Sequence, residues 1–453
     1  MKIHFIAIGG AVMHNLAIVL HRKGHMVSGS DDEIFEPSAS RLGKYGLLPP
    51  DPGWHPDKIS KDIDTIILGM HARKDNPELK KAQELGLDIR SFPEYLYEQT
   101  SNKKRVVIGG SHGKTTITSM IMHVLKLCQI ECDYMVGSQV NGFDTMVSLS
   151  DSSEIAVFEG DEYPCSAIDP RPKFHLYKAD IAVINGISWD HINVFPTFDT
   201  YLQQFRIFTD TIGKNGKLIY YQEDALVDNI ARAARGDITS IPYNVHGYFQ
   251  NRKGFFAATH NRIQKMEIFG EHNMQNLSAA KTVCSELGIG EEDFYRTIGS
   301  FKGSGKRMQL LSEGAGCAVY IDFAHAPSKV KATVGAMAER YPSQRLVTCL
   351  ELHTYSSLNA DFIDNYKGTL DEADKAYVYY NPHALTLKKL HMLDKQKVRL
   401  SFGDDSIVVV DDSDELFYKI SEEAGPDTVY LFMSSGDFNG YDMISYADKL
   451  IKY

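Results

Sequence analysis

Val106-Val107-Ile108-Gly109-Gly110-Ser111-His112-Gly113-Lys114-Thr115-Thr116 decides the fold of this chain. An apolar strand runs into a glycine turn, and the turn leads into the helix-like stretch Ile117 to Leu127. That order holds a nucleotide triphosphate, because glycines let backbone N–H groups converge on phosphate oxygens and the helix N-terminus adds partial positive charge. Lys114 can neutralise phosphates, and the Thr115 hydroxyl can take a magnesium ion. Gly110, Ser111, His112, Gly113, Lys114, Thr115 and Thr116 are therefore expected to bind ATP. The loop is a short variant, since Ile108 stands where the general pattern begins with glycine.

Outward from the loop, strand and helix signals alternate. Before it lie strands at Ile3 to Ile8, Met26 to Ser30 and Thr65 to Leu68, with a helix at Val12 to Arg22. After it lie strands near Ile155 to Phe158 and Ile181 to Ile184, then near Ala318 to Asp322, Arg345 to Leu350, Ala376 to Tyr380 and Thr428 to Met433. Such alternation reads as an α/β protein. Its 453 residues exceed what one core supports and correspond to about three domains. The polar run Gln99 to Lys104 reads as a linker, and Gly303-Ser304-Gly305 as a second boundary. The expected domains are 1–102, 103–303 and 304–453.

Composition narrows the partners. A net charge of -11 without a long basic run argues against nucleic acid. The six cysteines contain no Cys-x-x-Cys pair, so neither a zinc ribbon nor a disulfide framework is indicated, and reduced, mostly buried thiols are expected. The first ten residues read as a strand and turn, too short for a signal segment or a membrane span. A cytoplasmic location without a membrane partner is the expectation.

Three further segments carry chemistry. The strand ending at Phe158 delivers Glu159-Gly160-Asp161-Glu162, and the next delivers Asn185 and then Asp190-His191. Ligands of open α/β sheets bind at the carboxyl ends of strands, and hard oxygen donors beside ATP suit Mg2+. In Gly270-Glu271-His272-Asn273-Met274-Gln275-Asn276, the two carboxamides fall on one face at the start of an amphipathic helix. They read either as helix-capping groups or as partners for an adenine edge. Gly9-Gly10 is a weak dinucleotide signal with Asp31 about 20 residues on, where an acidic residue would meet a ribose, or else a plain turn.

Taken in order, these segments resemble the Mur ligases, ATP-dependent enzymes that form amide bonds in peptidoglycan synthesis. The resemblance also rests on Phe301-Lys-Gly-Ser-Gly-Lys-Arg307 and Asp322-Phe-Ala-His325-Ala-Pro327, and it spans essentially the whole chain. It implies a Rossmann-like N-terminal UDP-sugar domain, a central P-loop ATPase-type domain and a Rossmann-like C-terminal domain for the incoming amine. Gly9, Gly10, Ser30 and Asp31 would then serve the UDP-sugar. Lys114, Glu159 and His191 would be catalytic, with Thr115 and Glu159 at one magnesium and His191 with Glu159 at a second. Asn273 and Asn276 match the adenine side, and Arg307 and Asp322 match contacts to phosphates and ribose. The implied substrates are UDP-N-acetylmuramate, ATP and an amino-acid or peptide amine, used by a monomer or weak homodimer. No lysine lies between Ile192 and Ile212, so the carbamylated lysine of several family members is not expected.

Within the family, Ser30-Asp31-Asp32, Arg171 to His175 and Met433 to Gly440 resemble the branch that joins a preformed tripeptide, L-alanyl-γ-D-glutamyl-meso-diaminopimelate, to UDP-N-acetylmuramate. The branch that adds a single L-alanine usually carries an Arg four residues after a Pro-His histidine, whereas Leu352-His353 here is followed by Ser357. Leu352 and Asp437 also depart from the tripeptide branch. The alternatives are the alanine-adding activity and, in another class, a nucleotide-binding homologue without ligase activity.

Overall fold

The phosphate-loop strand, Lys104–Gly109, lies at the centre of a seven-stranded sheet in the computed structural model, which describes residues 1–190 and 192–452. The order across the sheet is Thr239–Tyr243, Lys217–Tyr221, Ile181–Ile184, Lys104–Gly109, Ile155–Glu159, Asp133–Met135 and Val147–Ser148. All neighbours are parallel except the last pair. Central parallel strands are covered on both faces and need unbroken apolar runs. Val106, Val107, Ile108, Val157, Phe158, Val183 and Ile184 supply them, each fully buried. Register sets Ile108 opposite Glu159 and Gly109 opposite Ile184, so the glycine loop, Glu159 and Asn185 arrive at one rim.

Two glycines make the loop possible. Gly110 has φ +124, and a Cβ there would lie 2.9 Å from the Asn185 nitrogen. Gly113, the residue before the helix Lys114–Leu127, has φ +78. Both conformations belong to glycine.

The described residues form two units. The first comprises Met1–Ile187, Leu202–Asn244 and Ser278–Ile298; the second comprises Ser188–Tyr201, Val245–Leu277 and Gly299–Tyr453. Besides the seven-stranded sheet, the first unit holds a parallel sheet ordered Met26–Ser30, Lys2–Ile6, Thr65–Leu68, Ile89–Ser91. In the run read as a polar linker, Gln99, Ser101, Asn102 and Lys104 are exposed, while Thr100 and Lys103 are buried. Gln99 ends one helix, Lys104 begins the central strand, and Lys103 is buried with its ammonium 2.7 Å from the buried Asp133 carboxylate. Burial of a lysine requires such a partner, which polarity along the sequence does not reveal. Asn15, from the helix Ala11–Arg22, also ties the two sheets: its side-chain oxygen accepts from Arg41 at 3.0 Å and from the Met146 N–H at 3.1 Å.

The second unit contains a six-stranded sheet ordered Gln309–Gly314, Cys317–Asp322, Thr428–Met433, Arg345–Leu352, Lys375–Tyr380, Val408–Val410. Only its first pair is antiparallel. Three antiparallel strands, Tyr248–Asn251, Gly254–Ala258 and Ile263–Met266, form a small sheet that the sequence reading did not anticipate. The helix expected at the carboxamide pair spans Glu271–Glu286 but is not amphipathic. Asn273, Met274, Gln275, Asn276 and Leu277 are all buried, and five consecutive residues go round more than one helical turn. The six cysteines are free thiols, four of them buried. Among the described residues no helix is long and apolar enough to cross a membrane.

Candidate active site

At the loop, each charged group has a distinct partner. Lys114 donates to the Gly110 carbonyl at 2.6 Å and to both Glu162 oxygens at 2.8 and 3.0 Å. Thr115 donates its hydroxyl to Glu159 at 2.8 Å, and the Gly137 N–H donates to the other Glu159 oxygen at 2.7 Å. Asp161 pairs with Lys173 at 2.9 Å. Asn185 donates to the His112 carbonyl at 3.2 Å, and the Ser111 N–H donates to Gly186 at 2.9 Å. Burial alone would lower the Lys114 pKa, but the carboxylates of Glu162, Asp161 and Glu159 outweigh it and raise it above the ordinary lysine value. Burial likewise works against ionised Asp161, yet Lys173 and Lys114 hold it below the usual carboxylate range. The lysine is therefore firmly charged where phosphates would need neutralising.

The pair formed by Thr115 and Glu159 fits a magnesium ion. Oxygen ligands about 2.1 Å from an octahedral ion stand about 3 Å apart when adjacent, close to the 2.8 Å between these two oxygens. His191, expected with Glu159 at a second magnesium, lies outside the described residues. Among the described residues no three His, Cys, Asp or Glu side chains gather as a metal site. Magnesium accepts such sparse ligation because it keeps waters and shares phosphate oxygens.

The N-terminal set gathers at the end of Lys2–Ile6. Ser30 and Asp31 are buried, and the Gly9 N–H donates to the Asp31 carboxylate at 2.7 Å. Gly10 begins the helix Ala11–Arg22 without a side-chain cap. Burial pushes the Asp31 carboxyl up to about 6, although the Gly9 N–H favours its ionised form.

In the second unit, Asp322 accepts from the Met308 and Ala324 N–H groups, both at 2.7 Å, and so shapes the turn that carries Arg307. The Arg307 guanidinium lies 4.7 Å from the centre of the Phe323 ring. Asn273 and Asn276 are buried together; Asn273 donates to the Phe269 carbonyl at 2.9 Å, and the two side chains approach at 3.5 Å. Asp190 reaches Lys329 at 3.4 Å. His325 donates from Nδ1 to the Phe323 carbonyl at 2.8 Å, while burial and Lys329 push its pKa down to about 3, so the ring is neutral. Ser357 is buried in a turn in which its N–H donates to the Thr354 hydroxyl at 3.1 Å. Glu351, at the end of Arg345–Leu352, accepts from the Ser434 hydroxyl and the Phe438 N–H.

Sequence reasoning missed Glu162 as the partner of Lys114 and His325 beside Lys329. Glu162 stands in a run already singled out, but spacing past a strand end carries no period that says which carboxylate turns inward.

A central parallel strand, a glycine loop and a charged lysine beside the carboxylates of the adjacent strand end define an enzyme that uses a nucleotide triphosphate. Residues 2–104 match the Mur ligase family catalytic domain, 108–284 the Mur ligase middle domain, and 306–436 the Mur ligase glutamate ligase domain. The chain belongs to the Mur ligase family and is an ATP-dependent, ADP-forming ligase with the family's three-domain α/β architecture. It is 30% identical over 399 residues to the UDP-N-acetylmuramate–L-alanine ligase of Limosilactobacillus reuteri, covering 83% of this chain and 84% of that protein. It is 26% identical over 395 residues to the UDP-N-acetylmuramate–L-alanyl-γ-D-glutamyl-meso-2,6-diaminoheptanedioate ligase of Escherichia coli, covering 84% and 86%. The solved UDP-N-acetylmuramate–alanine ligase of Thermotoga maritima shares the fold, with a TM-score of 0.72 and 20% identity over 100% of this chain and 98% of that one.

Proposed function

We propose that this ligase joins the lactyl carboxylate of UDP-N-acetylmuramate to the amine of L-alanyl-γ-D-glutamyl-meso-diaminopimelate in the cytoplasm. The substrate carboxylate attacks the ATP γ-phosphate, breaking its bond to the β–γ bridging oxygen, which releases ADP and forms an acyl phosphate; the amine then displaces phosphate through a tetrahedral intermediate. Lys114 offsets charge on the transferring phosphoryl group; Thr115 and Glu159 would hold a magnesium ion, which would supply further stabilisation of that charge. Gly9, Gly10, Ser30 and Asp31 are assigned to the UDP-sugar. Asn273, Asn276, Arg307 and Asp322 are assigned to the nucleotide.

One observation carries the choice of acceptor. Position 357 is a buried serine locked to Thr354, and the Glu351 carboxylate, at the end of Arg345–Leu352, is itself buried and engaged by Ser434 and Phe438. A single amino acid's carboxylate needs a close bidentate cation, which a serine does not supply. The alanine-adding activity is the second reading, favoured by the higher identity to the Limosilactobacillus protein. Phosphate release from ATP-Mg and UDP-N-acetylmuramate, measured with the tripeptide and with L-alanine, separates the two.

A further inference from the structure

The lysine that the loop offers to phosphates already holds an anion. Its ammonium has three donors. Two meet the oxygens of Glu162 and the third meets the Gly110 carbonyl. The Glu162 side chain is 0% exposed, and Asp161 next to it has its own cation in Lys173. Among the described residues three carboxylates, Glu159, Asp161 and Glu162, face two ammonium groups, Lys114 and Lys173, an excess of negative charge before any nucleotide enters.

Phosphate oxygens can bond Lys114 only by displacing one of these contacts, and they must then lie close to the Glu162 carboxylate. Two like charges in a partly dehydrated pocket repel strongly. A divalent cation bound to the nucleotide offsets that repulsion, whereas bare nucleotide or inorganic phosphate has nothing to offset it.

We propose that Glu162 is a positioning residue that occupies Lys114 as an internal anion, so that the loop excludes metal-free nucleotide and admits nucleotide that arrives with a divalent cation. The inference rests on the reading of Lys114 as a phosphate ligand. Glu162 also keeps the lysine aimed along the loop while the site is empty, which a solvated lysine on a flexible stem would not be.

The test is calorimetric binding of ATP with magnesium, and of ATP with a chelator, at constant ionic strength. The full-length protein is compared with its Glu162→Gln and Glu162→Asp variants, each first checked by thermal melting. The unmodified protein should bind ATP-Mg at least about tenfold more tightly than metal-free ATP, about 1.4 kcal/mol. Glu162→Gln keeps the shape and removes the charge; its affinity for metal-free ATP and for inorganic triphosphate should rise about tenfold, and its preference for the magnesium form should shrink. Glu162→Asp keeps the charge and should keep the preference. Equal loss of both nucleotide forms in folded Glu162→Gln would overturn the proposal and leave Glu162 a structural support. An unmodified protein that binds both forms equally would overturn it without any variant, so a failure of Glu162→Gln to fold does not remove the test. If unmodified protein and Lys114→Ala bind ATP-Mg alike, the phosphate role of Lys114 itself fails, and the inference falls with it.

Discussion

The Thr115 hydroxyl donates to the Glu159 carboxylate across 2.8 Å, joining the first turn of the loop helix to the end of the adjacent strand. The Gly137 N–H holds the other carboxylate oxygen at 2.7 Å, so Glu159 is oriented before any ligand arrives. Preorganised oxygens of this kind cost little reorganisation when charge develops. Removing either partner should act on metal use: Thr115→Val or Glu159→Gln is expected to raise the magnesium needed for half-maximal turnover by about tenfold or more. The apparent affinity for UDP-N-acetylmuramate should move far less. Equal changes in both would reject the metal assignment.

Lys114→Ala should abolish ligation in a folded protein. Losing one phosphate contact in a preorganised site costs about 3 kcal/mol of barrier or more, roughly 100-fold in rate. Circular dichroism and ADP release on the same preparation check fold and turnover together. Near-normal turnover would defeat the assignment.

The tripeptide should be preferred to free L-alanine when specificity constants are compared at saturating UDP-N-acetylmuramate and ATP. The larger acceptor brings remote groups whose binding orients its amine, and that should appear in kcat as well as in KM. A tenfold preference for L-alanine, about 1.4 kcal/mol in the other direction, would place the enzyme in the alanine-adding branch.

Asp31 gives a stability signature with a definite sign. Its carboxyl sits near 6 in the folded protein because burial disfavours the charge, against about 3.9 in an unfolded chain. A raised acid pKa means that the folded state binds the proton more tightly. The stability this contributes is complete below pH about 4 and is lost as pH rises through about 6. Asp31→Asn should therefore melt higher than the unmodified protein at pH 8, by about 2 kcal/mol in stability once solvent screening is taken off the roughly 3 kcal/mol of the full shift, and should gain nothing at pH 4. An Asn variant that is less stable at pH 8 would show that the bond from Gly9 outweighs burial.

Much of the site could be read from residue order because the relevant constraints are local. Gly110 and Gly113 adopt positive φ, conformations that only glycine takes readily, and they bracket a turn between an apolar run and a helix. The strands Thr65–Leu68, Ile181–Ile184 and Thr428–Met433 fall where the apolar runs predict them. The three-residue spacing of Asn273 and Asn276 likewise puts them together, as helix geometry requires.

What order along the chain determined was therefore which segments become strand, loop and helix, since backbone sterics and apolar periodicity act over a few residues. Tertiary structure alone decided the pairings. Among Glu159, Asp161 and Glu162, the first meets Thr115, the second Lys173 and the third Lys114. Past the end of a strand no repeat dictates direction, so each carboxylate turns to whichever cation or donor the neighbouring strand and helix bring within reach. The same reason buries Lys103 in a stretch that reads as linker, because its partner Asp133 comes from another strand of the sheet.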